Sequence, residues 1–184
     1  MKLRHVLAAL AALTALTACM QGPQTSTETG KVEADLNPQF SLTSPDFGIG
    51  SPIPPQFTCD GVDVNPELTI KDPPHGTKSF ALTLTDPDAP SKTWMHWIVW
   101  NIPSDTRTIP PGSLPPESVE GVNDFRRTNY EGPCPPEGIH RYVFTLYALD
   151  DTLSIRSKSG YDELMREINQ HILASSTLEG TYSA

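Results

Sequence analysis

The chain has 184 residues, a formal net charge of −9 and 37% hydrophobic residues, which suits one ordinary globular domain once a terminal segment is set aside. Proline accounts for 19 residues and glycine for only 12, so we expect many rigid turns and few long helices, and a helical bundle is excluded. The acidic balance, without any cluster of basic residues, excludes nucleic acid as the default partner.

The first residues have the layout of a bacterial secretory signal. Lys2 and Arg4 precede an Ala/Leu-rich run over residues 6–18. This run is too short to span a bilayer, which needs about 20 apolar residues. We therefore predict a signal peptide over residues 1–18.

The end of this run predicts a lipid anchor. Leu16-Thr17-Ala18-Cys19 resembles a bacterial lipobox, so Cys19 is the predicted lipidation site and the membrane contact, and an ordinary signal peptide is the alternative. Residues 19–38 are polar and lack a hydrophobic period, which indicates a flexible linker. The folded domain is then expected over residues 39–184.

A lipid on Cys19 would hold the protein in the cell envelope. Because Met20 and not an aspartate follows Cys19, we expect the outer membrane, facing the periplasm, in a two-membrane bacterium. In a one-membrane organism the expected place is the outer face of the plasma membrane. Export into an oxidising compartment favours a disulfide between Cys59 and Cys134, and the alternative is two buried free thiols.

Short apolar runs separated by Pro and Gly follow, as in an all-β sandwich or barrel. Phe80, Leu82 and Leu84 recur with a period of two, which is the period of a strand. Residues 95–102 and 142–149 are almost continuously apolar or aromatic, as strands buried on both faces are. The predicted strands are 40–43, 68–70, 79–85, 95–102 and 142–149.

One segment has the period of a helix. Leu164, Ile168 and Ile172 recur at helical spacing, with charged residues between them. This pattern predicts an amphipathic helix over residues 160–174, with one face packed against a sheet.

Polar residues lie at the ends of the three strongest predicted strands, where a hydrophobic core would have apolar residues. They are Asp86, Asp88, His96, His140 and Tyr142. If the three strands are neighbours, these side chains can converge at one end of the sheet. Two imidazoles, a phenol and nearby backbone amides would form a small polar cavity suited to a phosphate or a carboxylate.

Several ordered motifs from about residue 40 to the C-terminus carry a family resemblance. They are Phe57-Thr58-Cys59-Asp60-Gly61, Asp86-Pro87-Asp88-Ala89-Pro90, His96-Trp97 leading to Asn101-Ile102-Pro103, Gly121 with Asn123-Asp124, Tyr130 with Gly132-Pro133-Cys134-Pro135-Pro136, and Gly138 through His140-Arg141-Tyr142. Together they resemble the phosphatidylethanolamine-binding protein family, in its bacterial branch of Raf-kinase-inhibitor-like proteins.

This resemblance implies an all-β dominated fold, a sandwich of two antiparallel sheets with the amphipathic helix near the C-terminus. It also implies a cavity for anions such as the phosphoryl head group of phosphatidylethanolamine. The implied cavity lining is Asp86, His96, His140 and Tyr142, and the implied rim is Ala89, Pro90, Pro135 and Pro136. The resemblance gives Asp88 and Asp60 structural places near the rim, with Arg141 paired to one of the carboxylates.

The sequence thus predicts an exported, lipid-anchored, noncatalytic binding protein for a small anion or a phospholipid head group, with no cofactor and no metal. The alternative is an inhibitor of an envelope protease or another enzyme, or a protein-interaction module, that acts through the pocket rim. A third class is an enzyme or metal protein that uses the two histidines and Asp86. The sequence carries neither a His-Glu-x-x-His motif nor a Gly-x-Ser-x-Gly motif, which disfavours this class.

Overall fold

The computed structural model describes residues 39–183, which form two β-sheets and one α-helix. In chain order the elements are β1 (Ser41–Thr43), β2 (Ser51–Pro52), a 3₁₀ turn (Pro55–Phe57), β3 (Leu68–Lys71), β4 (Ser79–Asp86), β5 (Trp94–Pro103), β6 (Thr108–Ile109), β7 (Val119–Glu120), β8 (Ile139–Leu149), α1 (Tyr161–Ile168) and β9 (Ile172–Ser183). All five predicted strands are present. The prediction of a mostly β protein with two sheets and one helix is confirmed.

The large sheet contains six strands in the order β2-β9-β8-β4-β5-β7. Strand β4 lies at its centre and pairs antiparallel with β5 on one side and β8 on the other. The period of two in β4 places Phe80, Leu82 and Leu84 in one hydrophobic cluster and Ala81 in another. The three strongest predicted strands are therefore neighbours.

The small sheet contains three antiparallel strands in the order β1-β3-β6. Leu42 and Ile70 from this sheet belong to the same buried cluster as Trp97 and Phe144 from the large sheet. The principal core is therefore formed between the two sheets, as in a sandwich. The sheets do not close into a barrel.

The opposite face of the large sheet carries a second core beneath the helix. Leu164 and Ile168 of α1 are fully buried in a cluster with Ile98 and Trp100 of β5. The face of α1 that carries Asp162 and Arg166 is exposed and lies away from this cluster, as the amphipathic pattern predicts.

The prediction of a helix over residues 160–174 is wrong at its C-terminal end, and the helix is not the last element. The helix ends at Ile168, and β9 follows and pairs with β8 along its whole length. Small polar residues dominate β9, so its alternation of buried and exposed positions is weak in the sequence. Ile172 fits the helical spacing but lies in this strand, because pairing with β8 satisfies the backbone.

The sheets are also not wholly antiparallel, which corrects a second expectation. The short β2 runs parallel to β9, next to hydrogen bonds from Gly50 to Glu179 and from Ile53 to Thr181. A Cβ atom on Gly180 would lie 2.5 Å from Ile53, so glycine permits this close approach. The added pair covers the outer edge of β9. Within residues 39–183, no helix has the length and apolar character that crossing a membrane requires.

Candidate functional site

The centre of the large sheet brings the four predicted lining residues to one end. Asp86 is the last residue of β4, His96 lies near the start of β5, and His140 and Tyr142 lie near the start of β8. Because β4 is antiparallel to both neighbours, the end of β4 meets the starts of β5 and β8. The predicted convergence follows from this strand order.

His140 is held by a carboxylate. Its Nδ1 donates a hydrogen bond of 2.7 Å to Oδ2 of Asp86, and the two side chains are only 9% and 5% exposed. The other oxygen of Asp86 accepts a hydrogen bond of 2.9 Å from the backbone amide of Asp88. Since an ionised carboxylate can only accept, Nδ1 of His140 carries a proton, and Nε2 is the nitrogen left for a ligand.

His96 is held by the backbone of a loop. The register of β5 on β4 shifts between Leu84 and Thr85, which leaves His96 without an opposing residue, and such bulges redirect a side chain. Its Nδ1 donates a hydrogen bond of 2.8 Å to the carbonyl oxygen of Glu131. Its ring also contacts the rings of Tyr142 and Phe125, at centroid distances of 5.3 and 5.2 Å.

Burial controls the charge of His96. The ring is almost fully buried, and burial lowers its pKa below the ordinary value. The carbonyl groups of Glu131 and Gly132 and the charge of Asp86 oppose this shift without cancelling it. His96 is therefore predominantly neutral at neutral pH.

The hydroxyl of Tyr142 is the unusual group of the site. It is fully buried, and within the described chain it has no hydrogen-bond partner of acceptable geometry. The carboxylate of Asp86 and the backbone amide of Cys134 lie close enough to affect its ionisation. Burial first, and then the charge of Asp86, raise the pKa of Tyr142 far above its usual value, so the hydroxyl stays protonated and unsatisfied.

The segment that holds His96 is fastened to the loop after the 3₁₀ turn. Cys59 and Cys134 form a disulfide, and the amide of Cys59 donates to the carbonyl of Pro133 over 3.1 Å. Gly132 donates from its amide to Oδ1 of Asp63 over 2.7 Å. The chain around the carbonyl of Glu131 is thus fixed by a covalent bond and hydrogen bonds together.

The sequence did not reveal the roles of Glu131 and Asp63. Glu131 acts on His96 through its carbonyl, and every residue type has that group. Asp63 acts on the amide of Gly132, across 69 positions of the chain. The sequence signal near these residues was the Gly132-Pro133-Cys134 motif, and this motif did not indicate which residues the segment contacts.

On one side of the site, Arg141 pairs with Asp88 and not with Asp86. Nε and Nη2 of Arg141 donate to the two oxygens of Asp88 over 2.9 and 2.7 Å, and the backbone amide of Arg141 adds a third bond of 2.9 Å. These bonds lower the pKa of the Asp88 carboxyl to about 2, and the Arg141 side chain has the largest effect. Asp88 therefore ties the loop after β4 to β8.

The other predicted rim residues lie in loops around these strands. Asp60 accepts a hydrogen bond of 2.6 Å from the hydroxyl of Tyr182, which stands opposite His140 in the β8–β9 register. Ala89 is partly buried and Pro90 is exposed in the loop after β4, whereas Pro135 is buried and Pro136 is exposed in the loop before β8.

Clefts with volumes of about 370, 560 and 590 Å³ lie elsewhere in the described part of the chain. None of them is lined by His96, His140 or Tyr142. Across residues 39–183, no group of three or more His, Cys, Asp or Glu side chains is arranged to hold a metal ion. The buried polar residues at the end of the large sheet therefore remain the best candidate site, because the unsatisfied hydroxyl of Tyr142 lies there together with two histidines and a carboxylate.

Comparison with known proteins identifies the family. Residues 43–183 match the family model described as phosphatidylethanolamine-binding protein. A UPF0098 protein of Methanothermobacter thermautotrophicus is 43% identical over 71% of this chain and 89% of its own length, and one of Chlamydia pneumoniae is 40% identical over 78% and 98%.

Two solved structures agree with this match. A homologue of phosphatidylethanolamine-binding protein from Chlamydia trachomatis superposes with a TM-score of 0.76 at 36% identity, over 79% of this chain and 98% of that one. Escherichia coli YbcL, described as a member of the mammalian family, has a TM-score of 0.75 at 32% identity, over 79% and 99%. This chain therefore belongs to the phosphatidylethanolamine-binding protein family.

Proposed function

We propose that this protein is a noncatalytic binding protein whose pocket, at the end of β4, β5 and β8, takes a small oxyanion such as phosphate or a phosphoethanolamine head group. The observation that carries the proposal is the buried, unpartnered hydroxyl of Tyr142. A buried polar group without a partner costs about 1–3 kcal/mol. A ligand oxygen that accepts from this hydroxyl would remove the cost.

The groups around Tyr142 favour an oxyanion. The amide of Cys134 lies near the same hydroxyl and can donate to a bound oxygen. His96 and His140 each become a cation with an added Nε2 donor when they take up a proton. That positive charge would offset Asp86, whose carboxylate already accepts hydrogen bonds from His140 and Asp88.

The same geometry favours binding over reaction. A phenol whose pKa is far above its usual value stays protonated at neutral pH and is a poor nucleophile. Both oxygens of Asp86 are engaged within the protein, so Asp86 orients His140 and is not free to attack or to deprotonate a ligand.

The proposal includes the cell envelope as the place of action. Cys19 and the signal peptide over 1–18 lie outside the described residues, and their sequence pattern supports a lipid on Cys19. Mass spectrometry of the N-terminal peptide should find an acylated Cys19. A Cys19→Ser protein that still fractionates with membranes would contradict the anchor.

Calorimetric titration of the purified protein with phosphate and with phosphoethanolamine tests the pocket. We expect binding at about pH 6 that weakens at about pH 8, because a protonated imidazole ring favours an anion and protonation is less favourable at the higher pH. His140→Ala should abolish the heat of binding. His171→Ala is the matched control, because His171 forms a similar pair with Asp150, 2.8 Å long but on the surface.

A second candidate function is an inhibitor or protein-interaction module that acts through the rim. Exposed apolar side chains favour it: Ile139, next to His140, is 73% exposed, and Phe125, against His96, is 38% exposed. Exposed apolar groups of this kind are common in protein interfaces. Absence of binding with both anions at both pH values would favour this function over the anion pocket.

A further inference from the structure

The two histidines share a hydrogen-bonding constraint. Nδ1 of His140 faces the carboxylate of Asp86 at 2.7 Å, and Nδ1 of His96 faces the carbonyl of Glu131 at 2.8 Å. Both partners accept hydrogen bonds, so both Nδ1 atoms must carry the proton. In its neutral form each ring therefore presents Nε2 as an acceptor, and not as a donor.

An acceptor facing a ligand oxygen repels it unless a proton lies between the two atoms. Two such positions mean that an oxyanion needs two protons in the pocket, either on the rings or on the ligand. A phosphomonoester can hold one of them on its own oxygen, because its second pKa is about 6. A phosphodiester has no ionisable proton in this range, so both rings must be protonated to bind it.

The surroundings make double protonation of the rings difficult. His96 is buried, and burial disfavours its charged form. The guanidinium of Arg141, the residue after His140, is paired with Asp88, and that of Arg127 is paired with Glu131 over 2.7 Å. The charged and titratable groups around the two rings are Asp63, Asp86, Asp88, Arg127, Glu131, Arg141 and Tyr142.

We propose that the pocket selects phosphomonoesters over phosphodiesters, because the fixed Nδ1 protons of His96 and His140 leave two acceptor nitrogens toward the ligand. This inference rests on the proposed anion pocket. It names a class of ligand: a phosphoryl group on a single ester bond, whether on a small metabolite or on a modified side chain, and also inorganic phosphate. Of the ligands in the proposed function, it favours phosphate and free phosphoethanolamine and makes the diester head group of an intact phospholipid the weaker ligand.

The test compares phosphoethanolamine with glycerophosphoethanolamine, a soluble diester of the same alcohol, by calorimetry at about pH 7.5. We expect the monoester to bind at least ~10-fold more tightly. At this pH the monoester is mainly a dianion, so heats measured in two buffers of different ionisation enthalpy should show both esters taking up protons, the monoester holding one of them on its own oxygen. Inorganic phosphate and vesicles of phosphatidylethanolamine separate a free anion from a membrane source.

Three outcomes are informative. Tighter binding of the monoester than of the diester supports the proposal. Equal affinity for both esters overturns the proposal and leaves the anion pocket intact. Absence of binding for every phosphate compound overturns both the pocket and its selectivity.

A variant isolates the cause of the selectivity. In Asp86→Asn the amide side chain can donate as well as accept, so His140 can place its proton on Nε2. We expect the ratio of monoester to diester affinity to fall by at least ~5-fold, whatever happens to each affinity. Asp150→Asn, at the surface pair with His171, should leave the ratio unchanged. If Asp86→Asn does not fold, His96→Gln supplies a donor at the other position. An unchanged ratio of monoester to diester affinity in a folded variant would contradict the role of the fixed Nδ1 protons in the selectivity.

Discussion

The two histidines of the site are held in different ways. His140 is held by Asp86, a side chain on the neighbouring strand, and both lie in the centre of the large sheet. His96 is held by a backbone carbonyl of a loop, and this loop is fixed by Cys134 and by Asp63. The sheet would still position His140 if the loop were released, whereas His96 would lose its partner.

This difference separates two kinds of positioning. A pair inside a sheet depends on the register of strands, which many hydrogen bonds and core contacts determine together. A loop carbonyl depends on a few local fastenings, so one change can displace it. We therefore expect changes in the loop to affect His96 selectively, and the following predictions test this contrast.

The largest effect is expected from the disulfide. Cys59 and Cys134 are 75 positions apart, and removing a disulfide that closes a loop of this order costs about 2–4 kcal/mol of unfolding free energy. A Cys59→Ala/Cys134→Ala protein should show this loss in urea denaturation. Imidazole NMR should show His96 perturbed more than His140, and equal perturbation of the two rings would contradict the contrast.

A smaller loss is expected from Gly132→Ala. A Cβ at this position would lie 2.4 Å from the carbonyl oxygen of Phe57 and 2.6 Å from Oδ1 of Asp63, so the loop must move. Such overpacking costs about 1–3 kcal/mol, measurable by urea denaturation. Gly160→Ala is the matched control, because its nearest atom would be 3.8 Å away. Equal stability of the two variants would contradict the close packing of the loop.

Protonation of His96 should lower the stability of the unliganded protein as the pH falls. The pKa of His96 is lowered in the folded protein, so below about pH 6.5 the unfolded chain binds more protons. Stability is therefore greatest above this pH and falls as the pH drops toward the lowered pKa, by about 1.4 kcal/mol for each unit of difference.

Urea denaturation at about pH 7.5 and about pH 5 measures this loss. His96→Gln should reduce the difference in unfolding free energy between the two pH values. His75→Gln, which changes an exposed histidine in the turn before β4, is the control. A pH dependence that is the same in both variants would show that His96 is not its source.

The smallest effect is expected from Asp88→Asn. Asp88 and Arg141 are 31% and 50% exposed, and a solvent-exposed ion pair contributes only about 0–1 kcal/mol. Because the pKa of Asp88 is lowered to about 2, its contribution is complete above about pH 4 and disappears as the pH falls toward 2. Acid titrations of stability for the wild type and the variant should converge there, and parallel curves would contradict the pairing.

The strand patterns were sufficient to predict the three central strands. The period of two in β4 and the aromatic runs of β5 and β8 indicate burial but not which strands are neighbours, so the convergence of Asp86, His96 and His140 was conditional on their adjacency and was implied by the family resemblance. Strand β9 could not be predicted, since its Ser and Thr residues carry little apolar signal and its pairing depends on β8. The partner of His96 could not be predicted either, because a backbone carbonyl has no sequence signature.

The most direct test of the pocket is a Tyr142→Phe protein, examined for both stability and phosphate binding. The hydroxyl of Tyr142 is buried without a partner, so its removal should leave the unfolding free energy unchanged or raise it by about 1 kcal/mol. The affinity for phosphate should nevertheless fall at least ~10-fold, because the ligand loses its buried donor. A variant that is less stable and binds phosphate as tightly as the wild type would contradict the account.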